Sequence, residues 1–182
     1  MRKSIMLALA ISICLSATAQ ELSVSTNVAD YINFGTLNME ASYGFARHWS
    51  AGADVKYNPF TFASDSGQKQ NRQRSFSAGV RYWPWHIYSG WWIAGNLRCQ
   101  EYNVGGVKSE ETSEGDRFGG GVQGGYSYMI SQHLNLNVGA GVWAGKDTYM
   151  VYACPRCGRI VDSGSKFFFL PSDIILSLAY IF

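Results

Sequence analysis

The sequence predicts an all-β chain, an eight-stranded antiparallel transmembrane β-barrel with up-and-down meander topology. Three observations carry this: an alternating segment that ends in an aromatic residue, an export signature, and a composition rich in glycine and aromatics. The segment is Ser172-Asp-Ile-Ile-Leu-Ser-Leu-Ala-Tyr-Ile-Phe182. Side chains alternate along a strand, so Ile174, Leu176, Leu178, Tyr180 and Phe182 share one wholly apolar face. Ile175, Ser177, Ala179 and Ile181 share the other, mixed face. In water such an edge invites aggregation. On an outer-membrane barrel the same face is the lipid-facing surface.

The export signature is Arg2-Lys3, then the apolar run Ile5 to Leu15, then Ala17-Thr18-Ala19. A charged start, a short apolar core and an A-x-A ending read as a signal peptide cleaved before Gln20. The run is too short to cross a bilayer as a helix. The expected organisation is therefore a signal peptide over 1–19 and a barrel domain over 20–182. Cys14 leaves with the signal peptide.

The chain has 15 basic and 13 acidic residues, 20 glycines and 15% aromatics. Without Arg2 and Lys3 the basic and acidic residues balance, and no Lys/Arg cluster points to nucleic acid. Aromatic- and glycine-rich composition with few helix signals suits a barrel.

Eight alternating segments follow in order: 22–28, 37–45, 49–57, 75–82, 89–100, 117–130, 134–142 and the last strand. Met39, Ala41, Tyr43 and Phe45 oppose Asn38, Glu40, Ser42 and Gly44. Trp49, Ala51, Ala53, Val55 and Tyr57 oppose Ser50, Gly52, Asp54 and Lys56. Phe76, Ala78, Val80 and Tyr82 oppose Ser77, Gly79 and Arg81. Connections near 46–48, 84–88 and 131–132 are tight, whereas 29–35, 59–72, 103–116 and 146–171 are longer. Outer-membrane barrels keep short turns on the periplasmic side and long loops outside the cell.

A soluble lipocalin-type cup has the same alternation with its apolar face inward. Bulk decides between them. Trp49, Tyr57, Tyr82, Trp91, Phe118, Tyr126, Tyr128, Tyr180 and Phe182 fall near strand ends, as aromatic girdles do. The opposite face is dominated by small residues, as a narrow eight-stranded interior requires.

Val80-Arg-Tyr-Trp83, Tyr102-Asn-Val-Gly-Gly106, Tyr57-Asn-Pro59 and Cys154-Pro-Arg-Cys-Gly158, with the terminal Leu178-Ala-Tyr-Ile-Phe182, resemble a family of small outer-membrane barrels of unknown function in Bacteroidetes-type bacteria. The architecture is similar to the OmpA and OmpX type. The resemblance implies an outer-membrane location and supplies no activity. It also implies that Tyr180 and Phe182 belong to the signal read by barrel-insertion machinery.

Several constellations could carry chemistry. Cys154-x-x-Cys157 supplies half of a tetrahedral zinc site, a redox pair, or a local disulfide. The disulfide is favoured, because an exported chain meets an oxidising compartment. Gly119-Gly-Gly-Val-Gln-Gly124 fits a dinucleotide fingerprint in letters but continues as a strand, where that fingerprint needs a helix. Glu40, Asp54, Lys56, Arg81, Arg98 and Arg117 are the candidate interior charges. They form either an ion path or a paired network that fills the interior, and the paired network is favoured. A lipid hydrolase or acyltransferase would need a base near the extracellular loops. His48, His86 and His133 sit at the short turns, whereas Ser163, Asp162, Glu110 and Glu111 sit in the long loops. The Phe167-Phe168-Phe169 run is either an interaction patch or the membrane boundary of the last strand.

The expected function is a structural, adhesive or docking role through the extracellular loops. A narrow small-solute channel and an outer-leaflet lipid enzyme are the alternatives. Expected partners are outer-membrane lipid, the insertion machinery and a surface protein, with no cofactor.

Overall fold

Period-two alternation runs along nearly the whole chain, and it builds strands joined by hairpins. The computed structural model describes residues 21–64, 67–106, 111–153 and 158–182. The signal-peptide reading lies outside them. Strand β1 (Leu22–Asn27) leads into a single helical turn, α1 (Val28–Ile32). Then follow β2 (Leu37–Ala46), β3 (Trp49–Asn58), β4 (Thr61–Ser64), β5 (Gly67–Tyr82), β6 (Gly90–Gly105), β7 (Thr112–Met129), β8 (Leu134–Tyr152) and β9 (Ile160–Ile181).

All pairings are antiparallel, and each strand of the meander pairs with the next. β3 also pairs with β5, and β9 returns to β1, so eight strands close into a ring. β4 is a short hairpin arm on β5. The register climbs around the ring. The partners of Met129 run through Asn135, Ala179, Ser25, Glu40, Asp54, Ser77 and Arg98 and return to β7 at Gly119. That is a stagger of ten residues in one circuit, the tilt that closing a ring demands.

The short connections fall where alternation stops: 47–48, 83–89 and 130–133. The long ones differ from expectation. Much of 59–72, 103–116 and 146–171 is strand, because β5 to β9 run on past the apolar segments as polar ribbons. The polar, Gly- and Ser-rich composition of these stretches reads as loop, but a pairing neighbour holds them extended. Segment 29–35 holds α1, which Asn27 caps by accepting from the Ala29 backbone N–H.

The burial pattern is inverted relative to a water-soluble sheet protein. Ser25, Ser42, Ser77, Asn137, Asp147 and Ser177 are buried inside the ring, whereas Leu97, Phe118, Val122, Phe169, Ile174 and Leu178 are exposed outside it. Interior glycines let the wall strands approach closely. A Cβ on Gly145 would stand 2.1 Å from the Phe118 carbonyl oxygen.

Candidate functional site: a filled interior and a projecting rim

The interior is built in tiers. At the short-turn end, Trp83, Ile87 and Tyr88 fold back into the ring, while Trp85 stays exposed. Trp83 is fully buried and packs with Ile87, Tyr88, Trp92 and Ile181. Its indole N–H donates to Ser50 Oγ at 3.1 Å, and its ring meets Tyr88 edge-on at 5.6 Å. Tyr88 holds a left-handed backbone with φ 59°. Asn135 and Ser127 both donate to its carbonyl oxygen, which fixes that conformation. Gly44 leaves the space that Ile87 fills, since a Cβ there would meet Ile87 Cδ1 at 2.2 Å.

Above this plug sits the charged tier. Arg81 bonds Glu40 at 3.0 Å and lies 4.3 Å over the Trp92 ring. Ser77 donates to Asp54, and Arg98 and Lys56 stand close enough to act on that carboxylate. Lys56 reaches Asp30 of α1 at 2.8 Å. Arg98 lies 5.3 Å over Trp143, which packs edge-on against Phe168 at 4.5 Å. Arg117 pairs with the fully buried Asp147 at 3.3 Å and covers Tyr102 at 3.9 Å, while Tyr102 donates to Asp147.

Four carboxylates thus meet four cations within the ring among the described residues. The two cavities among them measure about 50 and 40 Å³, each room for a few waters at ~10–15 Å³ of such space per molecule.

Level with Tyr102 and above it, the outer face of the sheet holds an open depression of about 380 Å³ lined by Tyr57, Arg74, Glu101, Asp116, Thr148 and Met150. The ribbons of β7, β8 and β9 project past it. On the outside, Arg74, Glu101, Asp116 and Thr148 form a polar row, directly above the row Phe76, Cys99, Phe118. On the inner side of the projecting ribbon Tyr149 donates to Asp162 at 3.2 Å, with the Lys166 ammonium 4.3 Å over its ring. The Asp162 charge raises the Tyr149 phenol above its ordinary range.

The structure places Glu40, Asp54, Lys56, Arg81, Arg98 and Arg117 on the inner side of the ring; the first five lie near one another, and Arg117 pairs separately with Asp147. Sequence reading missed two of the four carboxylates. Asp147 lay in a stretch read as loop, and Asp30 reaches inward only because α1 interrupts the wall. Tyr180 and Phe182 face outward, edge-on to one another at 5.0 Å. Cys154 and Cys157 lie outside the described residues. Cys99 is a free thiol on the outer face. The Gly119–Gly124 run lies wholly within β7. His48, His86 and His133 each bond a backbone carbonyl at the short-turn end, the end opposite Ser163, Asp162 and Glu111. Phe167 and Phe169 point outward and Phe168 inward.

The class these features define is an all-β antiparallel meander closed as an eight-stranded ring, polar inside and apolar outside. The chain belongs to the family described as protein of unknown function (DUF3575), whose match covers residues 5–182. No curated protein and no solved structure matches it.

Proposed function

We propose that this chain is an integral outer-membrane β-barrel of the OmpA/OmpX architecture, delivered by the 1–19 signal peptide. Its filled interior is a rigid mount, and its projecting strands dock a partner at the cell surface. The observation that carries the reading is the inversion of burial. Large apolar side chains cover the outside while ion pairs occupy the inside, and only a lipid surround makes that arrangement favourable.

The dimensions agree. The ten-residue rise from Phe118 to Tyr128 along β7, at ~3.4 Å per residue and a tilt of ~40°, makes a band of about 26 Å. Polar residues bound it above. Within its lower margin lie Trp49 against Tyr82 at 5.0 Å and Trp91 against Tyr126 at 5.3 Å, as an interfacial aromatic belt does.

The Trp83 plug and the balanced ion pairs support a mount over a conduit. A projecting polar rim, with the histidines at the opposite end, supports docking over catalysis.

The test is refolding into lipid vesicles. The folded protein should migrate differently from heated protein in electrophoresis, and brominated lipid should quench the fluorescence of the outward Trp49 and Trp91. A chain that stays soluble without detergent and shows no quenching overturns the reading. In planar bilayers the wild-type protein should be electrically silent; discrete conductance steps would favour a channel instead.

A further inference from the structure

β9 has 22 residues and its neighbour β1 has six. Of β9, β1 pairs only with Ser177–Ile181. Asn27 then ends it, and its side chain serves two more edge groups, accepting from the Leu176 N–H and donating to the Ile174 carbonyl. Beyond that point β9 is paired with β8 alone among the described residues. Residues 160–167 are all exposed.

The direction of the unpaired backbone groups follows from alternation. The His133 carbonyl and the Ala153 N–H, at the two ends of β8, both bond β9-side residues, so the odd-numbered residues of β8 face β9. Their register partners are Asp162, Gly164, Lys166 and Phe168. The intervening Ser163, Ser165, Phe167 and Phe169 therefore turn their N–H and C=O groups to the open edge. Pro171, which has no N–H to leave unpaired, falls on the same side.

We infer that this edge takes an added antiparallel strand from a protein partner, and that the partner's segment reads apolar, acidic, three small residues, basic, apolar. This rests on the docking reading above and gives it a binding mode. Main-chain hydrogen bonds supply affinity in strand addition, and flanking side chains supply specificity. Asp162 and Lys166 lie on one face, and Val161 and Phe167 on the other. An antiparallel strand centred on Gly164 sets a base opposite Asp162, an acid opposite Lys166 and apolar residues opposite Val161 and Phe167. Residues 162, 164 and 166 turn their backbone groups toward β8, so they form the non-hydrogen-bonded pairs of the new interface, where side chains approach closest. A second copy in the same membrane is a poor occupant, because its β9 would run in the same direction.

The chain's own segment Val161-Asp-Ser-Gly-Ser-Lys-Phe167 satisfies this pattern against itself, so it supplies the probe. A fluorescent synthetic peptide of residues 160–168 is titrated against the folded full-length protein in nanodiscs and followed by anisotropy. Saturable binding is expected, with no binding of a scrambled peptide. Asp162→Lys should weaken it about fivefold, the scale of one cross-strand charge pair turned repulsive. A peptide with its own lysine changed to aspartate should recover the loss. Ser165→Pro removes an edge-facing N–H without touching the β8 pairing, so it should abolish binding while leaving heat-modifiable migration intact. Absence of saturable binding, or binding indifferent to the charge swap and to Ser165→Pro, overturns the inference. Failure to insert into lipid at all would instead sink the membrane reading.

Discussion

The two ends of the ring are built to opposite rules. The short-turn end is closed by an apolar plug whose polar atoms are tied down, with the Trp83 indole on Ser50 and the Tyr88 carbonyl on Asn135 and Ser127. The long-strand end carries the same sheet upward, with residues 160–167 exposed on both faces. One end spends its side chains on filling space, while the other leaves backbone and charge available. Stability therefore concentrates below Tyr102, and recognition is free to concentrate above it. This separation lets a small chain vary its surface without disturbing its fold.

The largest effects should come from breaking the filled half. Arg117→Ala leaves the fully buried Asp147 without its cation, and an orphaned buried charge costs about 3–5 kcal/mol. The urea midpoint of the lipid-folded protein should fall accordingly, and Asp147→Ala combined with Arg117→Ala should fall by less than the sum of the two. Additive losses would mean that the pair is not coupled.

Trp83→Ala should cost a similar ~3–5 kcal/mol, as loss of a fully buried aromatic side chain does. It should also unseal the short-turn end. Conductance steps present in this variant and absent from the wild type would show that the plug is the seal. Silence in both would place the barrier in the charged tier.

The proposed membrane position is the next comparison to sharpen. Leu97→Arg places a charge in the middle of the outer apolar face and should cost about 2–4 kcal/mol. Thr148→Arg, one row above Phe118, should cost about 0–1 kcal/mol, because charge near the interface is tolerated. Equal penalties at both positions would mean that the apolar band has been drawn in the wrong place.

The filled half was the legible half. Period-two alternation over 37–57, 75–82 and 134–142 gave strand positions and faces, because one side of each strand is apolar and the other, facing a narrow interior, is polar or small. Glu40, Asp54, Lys56, Arg81, Arg98 and Arg117 were readable as interior for the same reason. The plug was not legible. Pro84-Trp85-His86 announces a turn, but nothing local says that Trp83, Ile87 and Tyr88 fold back into the ring. Asp147 and the ribbons of β8 and β9 were hidden by composition. Ser163-Gly164-Ser165 has the chemistry of a loop, and only the register with Tyr149 and Met150 holds it as a strand.

The smallest stability effect is expected at the rim, and it is the most informative about the division of labour. Asp162→Ala removes an exposed carboxylate bonded to Tyr149 above the apolar band. Exposed polar changes of this kind stay within about 0.5 kcal/mol, so the urea midpoint should hardly move. The Tyr149 phenol, raised by that carboxylate, should fall back toward its ordinary range, which a spectrophotometric titration of the folded protein would register as earlier ionisation. A variant that titrates differently but unfolds like the wild type would show that the rim carries charge without carrying the fold. A large loss of stability would mean that the projecting ribbon braces the ring, and the two ends would not be independent after all.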